Sequence, residues 1–204
     1  MGFGNVVTAG SVLRQDCPGD NQLITVEPRP GGAREYQPAL YPNLKRVVEN
    51  NILYLANLAA LREWYVHVRK PFFDAVELGS LIHAGLLDKL SLALKERFKR
   101  LEAMTRRTPQ FGDGFTKNGS KIKEMFEMDT TPDSDAGMLR DAFLGGLNRV
   151  MQAGDGGYIA TIQGLPADIS EKGTAWLESV VTSHAKAVSQ AMPGQQLFES
   201  QKYF

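Results

Sequence analysis

From Asn43 to Lys70 the chain runs for 28 residues without a glycine or a proline. Few folds accept such a stretch except as one long helix, about 40 Å at the α-helical rise. Pro42 suits its first turn, where the missing N–H would have no intrahelical partner. Val47, Tyr54, Leu58, Leu61, Tyr65 and Val68 form one apolar stripe, and Leu44, Val48, Ile52, Leu55 and Ala59 form another beside it. A helix apolar on two sides is covered on two sides. The expected fold class is therefore mainly α, a helical bundle with this helix at its centre.

Proline biases the preceding residue out of the helical region, so Pro71 predicts a break. A second long helix is expected over 72–106, with Leu78, Ile82, Leu86, Leu90, Leu94, Phe98 and Leu101 recurring at spacings of 4 and 3. Two long helices joined at Pro71 are expected to pack antiparallel. Thr108 to Gly119 reads as a loop from its proline and glycines. Ser120 can cap a short helix to about Met128, and Asp133 or Ser134 another to about Ala153. Tyr158 to Gln163 alternates weakly and reads as extended. Ser170 opens the last helix, with Ile169, Leu177, Val180, Val181, Ala185 and Val188 on its apolar side and Pro193-Gly194 closing it. The bundle thus has two long and three shorter helices.

The N-terminal region differs in kind. Residues 1–24 form one expected domain, 25–41 a linker rich in proline and glycine (Pro28, Pro30, Gly31, Gly32, Pro38), and 42–204 the helical domain. The 23 basic and 23 acidic residues cancel, and without a basic excess nucleic acid is not an expected partner. The cancellation is not local. Residues 1–41 carry three basic and four acidic groups, 42–107 twelve and seven, and 108–204 eight and twelve, giving −1, +5 and −4. Such a pattern suits pairing within the chain or between copies.

Hydrophobic content of 43% with 23% charged residues belongs to a globular chain rather than a disordered one. No apolar run approaches the roughly 20 residues that cross a bilayer, so no membrane association is expected. The first residues lack the pattern of a signal peptide. A single cysteine, Cys17, allows no intrachain disulfide, and a reducing cytoplasm is the expected compartment.

Chemistry is sparse. His67, His83 and His184 fall on separate expected helices, and one cysteine cannot build a zinc cluster. Cys17 sits in Asp-Cys-Pro-Gly-Asp, a turn with nothing nearby to activate a thiol. Asp129, Asp133 and Asp135 miss the spacing of a calcium loop; capping is their expected job. Gly154-Asp155-Gly156-Gly157 lacks the Lys-Ser/Thr of a phosphate loop and reads as a helix stop. The run from Leu53 to Tyr65 is core first, with an oligomer seam as the other reading. No catalytic residue and no metal ligand is assigned.

The N-terminal segment carries the sharpest motif. In Gly4-Asn5-Val6-Val7-Thr8-Ala9-Gly10-Ser11-Val12-Leu13-Arg14-Gln15-Asp16, Val7 and Leu13 stand six apart with small residues between. A six-residue period is how a triangular parallel β-solenoid is written. With Pro18-Gly19-Asp20-Asn21 following, the segment resembles the last coil of the hexapeptide-repeat, left-handed β-helix enzymes. It is most similar to the C-terminal end of bifunctional N-acetylglucosamine-1-phosphate uridyltransferase/glucosamine-1-phosphate acetyltransferases.

The resemblance spans residues 1–24. It implies a left-handed β-helix remnant of one to two coils, a trimer, and acetyl-CoA bound between coils of neighbouring subunits. Ala9 matches a position whose backbone lies against the coenzyme. The nucleotide signature and the acetyltransferase His and Lys would lie before Met1. The expectation is thus the C-terminal portion of a UDP-N-acetylglucosamine pyrophosphorylase/acetyltransferase-like protein, whose helical part serves oligomerisation or partner contact without its own catalysis. The alternative is a helical regulatory module that binds an anionic ligand, such as a sugar nucleotide or acetyl-CoA, through Arg97, Lys99, Arg100, Arg106 and Arg107.

Overall fold

The computed structural model describes residues 1–26, 43–127, 134–154 and 156–198. The chain is mainly helical and forms two compact units, residues 1–40 and 41–204. Most of the expected linker, and with it Asp129, Asp133 and Asp155, lies outside the described residues.

In the first unit β1 (Val6–Val7) pairs in parallel with β2 (Leu23–Ile24), Val6 opposite Leu23 and Val7 opposite Ile24. The Asn5 side chain adds a rung of its own. Its Nδ2 donates to the Gly19 carbonyl at 2.7 Å, and its Oδ1 accepts the Gln22 N–H at 2.7 Å. Gly4 and Gly10 take positive φ of 71° and 81° at the turns flanking β1, where a side chain would be strained. Val7, Leu13 and Ile24 are half-buried, while Phe3, Val6, Val12 and Leu23 are exposed. These two short strands are the β-structure of the described residues.

The second unit is built on α1 (Leu44–Trp64), which packs against α3 (Gly79–Arg106) and α7 (Ala167–Ala191). Of its two stripes, the one led by Leu44 is the core: Val48, Ile52 and Leu55 are fully buried. The other is half-covered, with Tyr54 and Leu61 exposed. Two carboxylates, Glu49 and Glu63, are buried beside these stripes. α7 packs in turn on α5 (Ser134–Ala153), and α3 on α4 (Pro109–Glu127). Glycines bring α5 and α7 close. A Cβ on Gly173 would stand 2.8 Å from the Phe143 ring, and one on Gly146 would stand 2.5 Å from Ile169.

Pro71 does not end the first helix. The chain widens into a π-helical turn over Tyr65–Arg69 and continues as α2 (Lys70–Asp74) with Pro71 in its first turn. A π turn respaces the backbone bonds, so the proline's missing donor leaves no gap in an α-helical ladder. The Tyr65 carbonyl accepts a hydrogen bond from His83 Nε2 at 2.9 Å. The break falls later, at residues 75–78, and α3 starts at Gly79 rather than at 72. Gly79 is required there, because a Cβ would collide with the Phe73 carbonyl.

Two segments expected to be irregular or extended are helical. The glycine-rich 108–119 stretch lies mostly in α4, because Phe115, Ile122 and Phe126 bury in the core and packing outweighs weak local propensity. Tyr158–Gln163 is a short helix, α6. The last helix starts at Ala167, three residues before Ser170, directly after Pro166.

Leu78 holds a left-handed backbone, φ 60°, ahead of α3 and is 67% exposed. That conformation costs a residue with a Cβ roughly 1–2 kcal/mol, and little packing repays it here. At a concentration where the protein is monomeric, Leu78→Gly is expected to stabilise it by up to about 1 kcal/mol, raising the calorimetric midpoint by roughly 2–4 °C. An unchanged or lowered midpoint would contradict this reading of the turn.

Candidate functional site

Where α1 and α7 lie side by side, their facing residues leave an open groove of about 650 Å³. Leu53, Ala60, Leu61 and Trp64 line it from α1, and Leu177 and Val181 from α7. The polar residues lining it are Asn57, Thr174 and Glu178. Two of these are occupied locally: Asn57 donates to the Leu53 carbonyl at 2.8 Å and Thr174 to the Ser170 carbonyl at 3.1 Å. The Glu178 carboxylate is exposed and has no ion-pair partner among the described residues. Trp64 is fixed from behind. Its ring stacks on Phe143 at 5.7 Å, and its Nε1–H donates to the Tyr158 hydroxyl at 3.0 Å. The groove is thus a rigid apolar floor with one free negative charge.

Beside it, Arg69 is caged by rings. Its guanidinium lies 3.8 Å from the Tyr158 centroid, 4.9 Å from Phe73 and 5.7 Å from Tyr65. Aromatic faces hold the cation there by their quadrupoles, and its buried Nε has no hydrogen-bond partner. Phe72 closes on Tyr158 edge-on at 5.3 Å.

A second surface is the first half of α3. The expected seven-position stripe is continuous in sequence but is covered only at its far end. Leu94, Phe98 and Leu101 are buried and Leu86 and Leu90 half-buried, while Ile82 is 51% exposed. Leu81, on the neighbouring stripe, is 70% exposed, and Val76 lies exposed just before the helix. Over residues 79–93 only Gly79 and His83 are buried.

The five basic residues of the alternative reading lie on the second half of α3 and just after it. Arg97 lies 4.5 Å from the Tyr54 ring centroid. Arg100 pairs with Glu96 at 2.8 Å and Arg106 with Glu102 at 2.8 Å, each within its own helix. The Arg100 hydrogen bond and charge hold the Glu96 carboxyl below the usual carboxylate range. Lys99 and Arg107 are exposed. Ala9 is exposed in the turn after β1.

Each histidine has a local partner. His67 lies 3.3 Å from Glu63, and His184 Nδ1 donates to the Val180 carbonyl at 2.8 Å. Cys17 is half-buried, with its Sγ 3.8 Å from the Gln15 carbonyl. Among the described residues no group of three or more His, Cys, Asp or Glu is placed to hold a metal ion, and no helix is long and apolar enough to cross a membrane.

Sequence reasoning placed Leu53, Leu61 and Trp64 in a core or seam but missed their α7 partners. It missed Arg69 and Tyr158 altogether, since 89 residues separate them. Compared with protein-family models, with curated proteins and with solved structures, the chain matches none.

Proposed function

We propose that this protein is an assembly module whose helical unit binds further copies of itself and carries no reaction of its own. The observation behind this is the uncovered first half of α3. Val76, Leu78, Leu81 and Ile82 are each more than half exposed, at 56%, 67%, 70% and 51%. Burying one such side chain contributes about 1.5–3 kcal/mol, so leaving four in water is costly unless a partner covers them. In this reading the two long helices run antiparallel, as the meeting of Tyr65 with His83 and of Tyr54 with Arg97 supports.

The N-terminal unit belongs to the same reading as the last coil of a hexapeptide-repeat protein of the sugar nucleotidyltransferase/acetyltransferase type. The 17-residue offset between paired strands, close to three hexapeptides, supports it. A trimer and an acetyl-CoA contact at Ala9 then follow from the resemblance. The protein would act in the cytoplasm. The alternative, an anion-binding regulatory module, loses support because Arg100 and Arg106 are already paired.

Sedimentation velocity tests the assembly reading. The weight-average sedimentation coefficient is expected to rise with protein concentration. The double variant Leu81→Lys, Ile82→Lys is expected to remain monomeric with an unchanged helical circular dichroism spectrum. A wild-type protein that stays monomeric at every concentration overturns the proposal. A large thermal stabilisation by acetyl-CoA or a sugar nucleotide, lost in Arg100→Ala, would favour the alternative.

A further inference from the structure

We infer that the Arg69 guanidinium is the receptor for a small organic carboxylate with an apolar stem. The site is separate from the basic end of α3 and independent of the assembly reading. Arg69 is the last residue of the π turn Tyr65–Arg69, and turns of this kind are frequent at functional sites. The Tyr158 ring of α6 lies 3.8 Å from its guanidinium, Phe73 4.9 Å and Tyr65 5.7 Å. Rings on several sides hold a cation in place without neutralising it.

Among the described residues this cation has no counter-ion. Its own segment offers two carboxylates, and both are engaged: Glu63 lies 3.3 Å from His67, and Asp74 lies 2.5 Å from Lys70. α6, which brings the Tyr158 ring, carries no charged residue. Glu77 in the break before α3 and Asp88 on that helix are exposed and make no ion pair with Arg69. Donors are left over as well. Arg69 Nε–H is buried without a hydrogen-bond partner, whereas the two Nη atoms make no hydrogen bond and stay open to solvent. The Tyr158 hydroxyl accepts the Trp64 Nε1–H at 3.0 Å. Its own hydrogen has no acceptor among the described residues.

These donors define the class of ligand. With Nε covered, the guanidinium presents its outer edge, Nη1 and Nη2, and a planar carboxylate accepts from both at once. The Tyr158 O–H, carried on the ring that the guanidinium covers, is the neutral donor beside it. A single positive charge suits a monoanion. A phosphate dianion calls for a second cation, and Lys70, next in the chain, is held by Asp74. The rings of Tyr65, Phe72, Phe73 and Tyr158 are each half-buried, which leaves apolar surface around the charge for the ligand's stem. A few convergent polar groups set among aromatic side chains are the usual make-up of a small-molecule site.

Titrating the full chain with benzoate, acetate and inorganic phosphate, at an ionic strength fixed with chloride, tests this by proton–nitrogen correlation NMR. Benzoate is expected to shift the Arg69 Nε–H and Trp64 indole N–H resonances saturably at millimolar concentrations, and acetate to bind several-fold more weakly. The Trp176 indole, fully buried, should not move. Arg69→Gln is expected to abolish the saturable shift at Trp64. Tyr158→Phe keeps the ring against the guanidinium and removes the hydroxyl donor, and benzoate binding followed at Arg69 should weaken several-fold. A wild type that responds to benzoate only as it does to chloride, or whose two indoles move alike, overturns the inference. So does an Arg69→Gln protein with a wild-type circular dichroism spectrum and wild-type binding. Tyr158→Phe protein of unchanged affinity would overturn the two-donor site even where Arg69→Gln fails to fold. Inorganic phosphate bound more tightly than benzoate would overturn the carboxylate assignment. Each outcome leaves the assembly reading untouched.

Discussion

Trp176→Ala is expected to destabilise the helical unit by about 3–5 kcal/mol, the largest effect of any single substitution considered. The indole is fully buried at the meeting of three elements. Its ring lies 6.0 Å from Phe143 of α5 and 6.0 Å from His67 in the π turn after α1. Alanine would reach neither, and the glycine contact at residue 173 already brings α5 and α7 close together. The cavity therefore cannot collapse, and an uncollapsed cavity adds its own cost to the lost transfer energy. Against a total stability of about 5–15 kcal/mol, the urea midpoint should fall by about a fifth or more.

Trp176→Phe is the control. It keeps an aromatic ring between Phe143 and His67 and removes a buried indole N–H that has no hydrogen-bond partner. An unsatisfied buried donor costs about 1–3 kcal/mol, so its loss offsets part of the lost volume. Phenylalanine should cost less than half of what alanine does. Equal losses from the two substitutions would refute the packing account.

Glu49→Ala should release the C-terminal turn. Glu49 is 1% exposed on α1, and its carboxylate accepts the Phe198 N–H at 2.7 Å. The segment it holds is otherwise anchored by Met192 and Leu197, both buried, and by the Ser189 hydroxyl donating to the Leu197 carbonyl at 3.3 Å. A hydrogen bond to a charged acceptor contributes about 1.5–3 kcal/mol, and the substitution removes the acceptor. The expected loss is about 2–3 kcal/mol, with limited proteolysis cutting within residues 192–198 before the bundle unfolds. Glu49→Gln keeps an acceptor oxygen and should lose less than half as much. A variant Glu49→Ala whose C-terminal turn resists protease as the wild type does would refute the tether.

The length of α1, its inner stripe and the apolar side of α7 were legible in the sequence, because each is a local pattern repeated over many residues. Pro71 was misread because a proline's effect depends on whether the backbone can respace its bonds, and the π turn at Tyr65–Arg69 does so. Glycines in 108–119 argued for a loop, yet α4 gains more from burying Phe115 than it loses in propensity. On α3 the periodicity identified an apolar stripe but not how much of it the rest of the chain could reach. That reach is a tertiary quantity, and it divides Leu94, Phe98 and Leu101 from Leu78 and Ile82. Much the same holds for the groove. The seam from Leu53 to Tyr65 was visible, but Leu177 and Val181 are paired with it only by folding.

The π turn also acts as a phase shifter. Compared with an α-helix, the extra residue it takes up advances the azimuth of everything after it by about 100°. That offset points Phe72 at Tyr158 and Phe73 at His83, while α1 keeps its own heading toward α7. Shortening Tyr65–Arg69 by one residue would return the helix to constant phase and swing both rings about a quarter turn off their targets. The residue count of this segment therefore sets the aim of both rings.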